Sequence, residues 1–258
     1  MEKIKNSMRV LIKLEAIKDC EYDLKYFHKL QGFFYKLLIG TKFESLHDKK
    51  GYKFFCFSNI FPIGNFKEGD ERKLILSSPS KTFIFTIIEK LNELVKFDKI
   101  INIGEMQFKI KNFSLLNIKI NKNLRIISAT PIIIRIPERN YEKYNIPEKF
   151  RKKRYVYWRP EYSFEAFVKQ LEENLIKKYN EFYRAKLEIE RIFEIFKFKK
   201  STVNHVVING EEQKLIGSIW EFYFSYLDKK QKEILKFGID CGFGERNSLG
   251  FGFINLIK

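Results

Sequence analysis

Gly242-Phe-Gly-Glu-Arg-Asn-Ser-Leu-Gly-Phe-Gly252 holds four of the 13 glycines in a chain of 258 residues. Glycine adopts positive φ and lets another backbone approach closely, so this spacing predicts a tight loop whose N–H groups form an anion site. Arg246, Asn247 and Ser248 add donors at its centre. The spacing matches neither the dinucleotide-binding fingerprint nor the P-loop. We therefore predict a phosphate cradle that does not serve one of the usual nucleotide cofactors.

The composition indicates a polyanionic partner. The chain has 49 Lys and Arg residues against 32 Asp and Glu, which gives a formal net charge of +17. Neutralising a phosphate backbone releases condensed counterions, and this release dominates nucleic-acid affinity. A lysine-rich surface that only maintains solubility is the simpler alternative. The 27 Phe and 13 Tyr residues exceed what solubility requires, and those beside basic residues could stack on unpaired bases.

Cysteine and histidine usage predicts neither disulfides nor a metal site. Cys20, Cys56 and Cys241 are odd in number and far apart, which fits neither a disulfide framework nor a C-x-x-C site. The three His residues are scattered, and no paired-carboxylate motif occurs. The sequence contains no run of about 18 apolar residues and no signal-peptide core. We expect a cytoplasmic protein with no cofactor, no metal and no membrane contact.

The hydrophobic pattern predicts the order β-α-β-β-α-β twice, which is the ferredoxin-like motif. The first copy is expected to have strands at 10–17, 53–61, 73–76 and 106–111, with one helix before residue 40 and another after Ser80. The second copy is expected to have strand-like segments at 126–136, 191–199, 204–213, 220–226 and 251–257, an Asn209-Gly210 turn, a helix after Ser163 and one begun by an Asp228–Gln231 capping box. The prediction is an α+β protein of tandem ferredoxin-like (RRM-like) βαββαβ domains, at residues 1–123 and 124–258.

The first predicted helix has two distinct faces. Its apolar stripe is expected to comprise Leu24, Phe27, Leu30, Phe34 and Leu37. Tyr35 falls about 100° from Phe34 around the helix, near the face shared by His28 and Gln31. Tyr35 is therefore expected to point away from the core.

Two segments of the chain resemble a known family. The glycine-rich loop, between a late helix and the last strand, is similar to the C-terminal signature of CRISPR-associated endoribonucleases of the repeat-associated mysterious protein superfamily. The likeness extends to Leu30-Gln-Gly-Phe-Phe-Tyr35, followed by Leu46-His-Asp-Lys-Lys-Gly-Tyr-Lys53. The resemblance implies two ferredoxin-like halves and an enzyme that cuts precursor CRISPR RNA (pre-crRNA) within its repeats.

The resemblance places the family's catalytic Tyr, His and Lys at Tyr35, His47 and Lys53. Imidazole titrates near neutral pH, so His47 is assigned as general acid, and Lys53 as the electrostatic stabiliser of the transition state. Tyr35 is assigned as base or orienter, because a phenol with an ordinary pKa near 10 needs a nearby cation to act as a base. Attack by the 2′-hydroxyl without a metal would leave a 5′-hydroxyl and a 2′,3′-cyclic phosphate.

Simpler interpretations stay open for these residues. Tyr35 is compatible with an amphipathic helix residue at the sheet edge, and His47 with a solvated loop. His28 is a rival because it shares a helical face with Tyr35. Lys49 and Lys50 lie so close to the assigned lysine that either could take its place.

The residues expected to contact RNA belong to the loop after His47, to the dense basic block at 149–154 and to the glycine-rich loop. They are Lys49, Lys50, Arg151, Lys152, Lys153, Arg154, Gly242, Gly244, Arg246, Asn247, Ser248 and Gly250. The expected partners are CRISPR repeat RNA and subunits of a CRISPR effector complex, with the chain acting as a monomer or homodimer. One rival is a non-catalytic subunit that only holds crRNA. Another is a peripheral membrane protein that places the basic block on anionic lipid.

Overall fold

The computed structural model describes residues 7–151, 153–208 and 210–257. The strands in this part of the chain are β1 (Ser7–Ala16), β2 (Cys56–Phe57), β3 (Glu71–Ser77), β4 (Ile101–Ile103), β5 (Met106–Ile118), β6 (Leu124–Ser128), β7 (Arg135–Pro137), β8 (Tyr155–Tyr157), β9 (Ile195–Ile208), β10 (Glu211–Phe224) and β11 (Ile254–Leu256). The helices are α1 (Phe27–Leu38), α2 (Lys81–Lys96), α3 (Phe164–Tyr183) and α4 (Lys229–Cys241). No helix among these residues is long and apolar enough to cross a bilayer.

The first half is an antiparallel sheet in the order β2-β3-β1-β5-β4. β1 lies at its centre and buries alternate residues, Val10, Ile12 and Leu14, against α1 and α2. β4 forms a short hairpin with β5. Without this addition, the order β2-β3-β1-β5 and the intervening helices match the ferredoxin-like motif.

The second half repeats the motif in the order β11-β6-β10-β9. Its core is centred on Trp220, which is fully buried and stacks on Phe167 of α3 with ring centroids 4.1 Å apart. The β7–β8 hairpin is inserted between β6 and α3. The predicted tandem ferredoxin-like fold is therefore confirmed. The predicted domain boundary at residues 123 and 124 stays a prediction, and it falls between β5 and β6.

Polar caps begin three of the helices where the sequence predicts them. Ser80 accepts a hydrogen bond from the backbone N–H of Phe83, and Ser163 accepts one from Glu165. Asp228 and Gln231 form both hydrogen bonds of a capping box. Each cap satisfies backbone donors that the first turn of a helix leaves free.

Two predicted strands are interrupted. The segment 53–61 forms a regular strand only in β2. Phe54 has φ of 53°, and the hydroxyl of Ser58 accepts a hydrogen bond from the Ile75 N–H. The segment 126–136 splits after β6. Pro131 has no N–H to contribute to the ladder, and the chain resumes pairing through isolated bridges at Ile132 and Ile133.

Smaller corrections concern helix and strand ends. Leu24 precedes α1 and is 72% exposed, so it is not part of the apolar stripe. Tyr226 lies beyond β10 and is 61% exposed, unlike Trp220, Phe222 and Phe224. The predicted segment 191–199 is a strand only from Ile195 onward. With most of 204–213 it belongs to a longer hairpin of β9 and β10. Asn209 of the predicted turn lies outside the described residues.

The two halves share a buried contact surface. Leu249 and Phe251 of the glycine-rich loop are buried in the core of the first half, and Phe251 stacks on Phe27 of α1 at 5.0 Å. Arg9 of β1 is 2% exposed and donates to the carbonyl oxygens of Ile239 and Ile254 in the second half, at 2.8 and 2.7 Å. Phe251 thus fixes the glycine-rich loop against α1, and Arg9 joins β1 to α4 and β11.

Candidate active site

A cleft of about 650 Å³ lies between the two halves. His28, Gln31 and Tyr35 of α1 line one side of the cleft. His47 and residues 49–54 and 244–249 line the rest, together with Arg135, Lys178 and Cys241. The three predicted catalytic residues and the glycine-rich loop thus share one cavity.

Lys53 joins the three predicted catalytic residues. Its Nζ donates to the Tyr35 hydroxyl at 2.8 Å and to the His47 carbonyl oxygen at 2.8 Å. The His47 ring stands edge-on to the Tyr35 ring, with centroids 5.2 Å apart and planes at 80°. A helix, a loop and the segment before β2 therefore bring an imidazole, a phenol and an ammonium group together.

Burial changes the acid–base properties of Tyr35 and Lys53. It raises the pKa of Tyr35 to about 12, although a hydrogen bond with Ser248 opposes the shift. It also lowers the pKa of Lys53, whereas the nearby carboxylate of Asp48 acts in the opposite direction. Tyr35 therefore keeps its proton at neutral pH.

His47 is held by its neighbours but open to the cleft. A 3-10 turn at Glu44–Leu46 precedes it, and its Nδ1 lies 2.7 Å from Oδ1 of Asp48. Its side chain is 67% exposed. Because Nδ1 faces Asp48, Nε2 is left to exchange a proton with a ligand.

A buried lysine organises the glycine-rich loop. Lys178 of α3 is 1% exposed, and its Nζ donates to the carbonyl oxygens of Gly242 and Gly244 at 2.6 and 3.0 Å and to Oδ1 of Asn247 at 2.9 Å. The amide nitrogen of Asn247 donates to the carbonyls of Phe243 and Phe251. The side chain of Asn247 is thus used within the loop, and its predicted RNA contact stays a prediction.

Gly250 is required by packing as well as by conformation. Its φ is 86°, and a Cβ there would lie 2.4 Å from the ring of Phe57. Ser248, two residues earlier, accepts a hydrogen bond from Gln31 Nε2 through its carbonyl oxygen at 2.8 Å. The loop is thereby fixed to α1 one turn away from Tyr35. Arg246, at φ of 59°, is exposed and lines the cleft.

The other predicted RNA contacts are distributed around this cleft. Lys49 and Lys50 are exposed residues of its lining, and Lys49 lies 4.0 Å from Glu181 of α3. His28, the rival histidine, also lines the cleft and is exposed.

None of the described residues of the basic block lines the cleft. Arg154 lines a neighbouring pocket, Arg151 donates through Nε to the carbonyl of Ile146 at 2.6 Å, and Lys153 is exposed. Lys152 lies outside the described residues. Among those described, no group of three or more His, Cys, Asp or Glu side chains is arranged to hold a metal ion.

Comparison with known proteins places the chain in a family. The model for "CRISPR associated protein Cas6, C-terminal" matches residues 115–256. The chain belongs to the Cas6 family. It is 31% identical over 262 residues to "CRISPR-associated endoribonuclease Cas6 2" of Methanocaldococcus jannaschii, covering 97% of this chain and 100% of the relative. It is 32% identical to the "CRISPR-associated endoribonuclease Cas6" of Haloferax mediterranei, covering 97% and 94%.

Solved structures support the fold of this Cas6 family member. One described as "CRISPR associated protein Cas6" has a TM-score of 0.71 at 24% identity and covers 98% of this chain and 100% of that one. Another, "An RAMP protein binding different RNA substrates", has a TM-score of 0.72 at 20% identity and covers 97% and 100%. At these identities the likeness shows the shared architecture.

Sequence reasoning missed Lys178 and the ion pair of Arg135 with Glu245 that lies beside the cleft. The signal for Lys178 was present, since Phe167, Leu171, Leu175 and Lys178 follow one another at helical spacing. A lysine on an apolar stripe needs internal acceptors. Nothing local in the sequence pairs Arg135 with Glu245, because 110 residues separate them.

Proposed function

We propose that this Cas6 family member is an endoribonuclease that cuts pre-crRNA within its repeats by metal-independent acid–base catalysis, leaving 5′-hydroxyl and 2′,3′-cyclic phosphate ends. Relatives that match nearly the whole chain are named CRISPR-associated endoribonucleases. The observation that carries the mechanism is the position of the Lys53 ammonium group, which bonds both to Tyr35 and to the backbone of His47.

In the proposed reaction, the 2′-hydroxyl oxygen attacks the adjacent phosphorus and the bond from phosphorus to the 5′-oxygen breaks. His47 donates a proton to the departing 5′-oxygen. Lys53 stabilises the negative charge that builds up on the non-bridging oxygens. Both residues line the same cleft.

Tyr35 acts as an orienting hydrogen-bond partner in this proposal. Its pKa of about 12 keeps the phenol neutral, so the 2′-hydroxyl proton passes to water in the open cleft. The phenol oxygen accepts from Lys53, and its own hydrogen is free to point to a phosphate oxygen or to Ser248. In this proposal Tyr35 is therefore assigned as the orienter and not as the base.

The expected partner is a single strand or hairpin of CRISPR repeat RNA, and both would be attracted by the formal charge of +17. Arg246, Lys49 and Lys50 are exposed at the cleft and are proposed to contact its phosphates. Delivery of the product to a CRISPR effector complex, a cytoplasmic location and a monomeric or homodimeric state are further parts of this proposal.

The test uses repeat RNA transcribed from the CRISPR array of the source organism, in EDTA. One substrate carries a 2′-deoxynucleotide immediately 5′ of the cut. We expect a single cut with a cyclic phosphate end, and no cut in the deoxy substrate. Activity that requires an added divalent ion, or cleavage of the deoxy substrate, would contradict the mechanism. Tight binding without cleavage would favour the non-catalytic crRNA-holding subunit.

A further inference from the structure

A second pocket of about 320 Å³ adjoins the catalytic cleft. It lies between the β7–β8 hairpin and α3, and Tyr52, Arg135 and Glu245 line both cavities. Ligand pockets span about 300–1,000 Å³, so this one has room for one small unit and not for a duplex. A strand in the cleft can therefore reach it without leaving the protein surface.

Two side-chain amides of α3 line this pocket, and each has one buried atom without a hydrogen-bond partner among the described residues. Gln170 is 9% exposed and its buried Nε2 is unpaired, and the buried Oδ1 of Asn174 is also unpaired. The two residues are one helical turn apart and share a face. Buried polar atoms are almost always paired, so an unpaired donor near an unpaired acceptor indicates a polar ligand.

The charges of the pocket favour an anion. Its lining includes four cationic and two anionic side chains, namely Arg135, Arg139, Arg154, Lys177, Glu173 and Glu245. Arg135 pairs with Glu245 and Lys177 with Glu173. Arg139 and Arg154 are exposed and have no ion pair within the described ranges, which leaves two positive charges for phosphate.

Aromatic surfaces complete the lining. Tyr52 and Tyr155 are both half-buried there, and the guanidinium of Arg135 lies 4.6 Å from the Tyr155 ring centroid. Tyrosine rings and guanidinium planes are the groups on which unpaired RNA bases stack. Neutral amides, aromatic rings and free arginines together correspond to the edge, the face and the phosphate of a nucleotide.

We propose that this pocket binds one unpaired nucleotide of the RNA strand that occupies the cleft, with Gln170 and Asn174 reading the base edge and Arg139 and Arg154 holding phosphate. This rests on the proposed function in RNA binding. The pocket would make the enzyme sensitive to base identity at one position of the repeat, separately from the chemistry at His47.

The test measures binding of repeat RNA that a 2′-deoxynucleotide at the cut keeps intact, in a series with one abasic site at each position. The pocket variant is Gln170→Met with Asn174→Leu. Its matched control is Gln107→Met with Asn102→Leu, which removes an exposed amide pair on the β4–β5 hairpin. We expect one abasic position to weaken wild-type binding about 5- to 100-fold. In the pocket variant the same abasic site should no longer weaken binding, whereas in the control variant it should weaken binding as in wild type.

A second variant distinguishes the loss of RNA contacts from misfolding. Arg139→Gln with Arg154→Gln changes only exposed side chains. The plot of log affinity against log salt concentration should become less steep by about 1.4, because each phosphate contact on a single strand contributes about 0.7 to the slope. An unchanged abasic profile in the pocket variant, with an unchanged salt slope in the arginine variant, would overturn the pocket proposal while RNA cleavage still stands. A wild type that binds no repeat RNA would overturn the proposed function and this proposal with it.

Discussion

The Nζ of Lys53 lies 2.8 Å from the hydroxyl of Tyr35, and the same ammonium group is 2.8 Å from the carbonyl oxygen of His47. The lysine therefore both positions the phenol and fixes the backbone that carries the imidazole. Removing it should disturb the charge at the phosphate and the geometry of both partners.

Lys53→Met should lower the rate of cleavage about 10²- to 10³-fold, because one electrostatic stabiliser of the transition state is lost. RNA affinity should change far less. Single-turnover cleavage and filter binding separate the two effects. Lys50→Met, an exposed lysine of the same cleft, is the matched control and should weaken binding with little effect on the rate of the bound complex. Equal losses of rate in both variants would show that Lys53 has no special role.

Ionisation of Tyr35 should not affect the pH dependence of the cleavage rate between pH 6 and 10. Burial raises its pKa to about 12, so the phenol stays protonated below that value and neither limb of the profile reports its ionisation. Tyr35→Phe should lower the rate about tenfold with the shape of the profile retained. An alkaline limb that disappears in Tyr35→Phe would instead identify Tyr35 as the general base.

Lys178→Met should destabilise the protein by about 2–4 kcal/mol, because two carbonyl oxygens and the Asn247 side chain lose a buried charged donor. Denaturant unfolding measures the difference. Lys177→Met removes a lysine that is 58% exposed on the same helix and should stay within about 0.5 kcal/mol of wild type. A Lys178→Met protein as stable as the Lys177→Met protein would refute the anchoring role.

Gly250→Ala and Gly69→Ala separate backbone strain from steric exclusion. Both glycines have positive φ, 86° and 84°, but a Cβ at Gly250 would lie 2.4 Å from Phe57, whereas nothing lies within 4 Å at Gly69. Gly69→Ala should cost about 1–2 kcal/mol from the left-handed conformation alone. Gly250→Ala should cost about 1–3 kcal/mol more, because the loop must move away from β2. Equal losses of unfolding free energy would mean that the loop does not need this close approach.

Local patterns account for most of what could be predicted from the sequence. Helical periodicity placed Tyr35 outside the apolar stripe of α1, although its half-buried ring still packs against the core. The caps at Ser80, Ser163 and Asp228 follow from side chains that bond the nearest free N–H groups. The order of strands and helices needs only this local information. It sufficed for the ferredoxin-like fold of both halves.

What could not be predicted depends on distant contacts or on irregular backbone. The meeting of Lys53 with Tyr35 and His47 was available only through the family resemblance, since a loop of variable length separates the residues. The burial of Lys178 follows from its helical spacing, but its acceptors could not be predicted, because they are loop carbonyls more than 60 residues away. The strand is interrupted after β6 because Pro131 has no N–H to donate. Regular strand pairing ends beside β2 because the Ile75 N–H donates to the hydroxyl of Ser58 and not to a backbone carbonyl.

His47 is proposed to donate the proton to the leaving 5′-oxygen. Single-turnover cleavage of repeat RNA by His47→Ala and by His28→Ala, with binding measured in parallel, tests this role most directly. Both histidines are exposed residues of the same cleft, so their loss changes its charge and polarity in similar ways. We predict that His47→Ala slows cleavage about 10²- to 10⁴-fold at nearly unchanged affinity, while His28→Ala cuts at close to the wild-type rate. A His47→Ala protein that cuts normally, or a His28→Ala protein that loses the activity instead, would contradict the account.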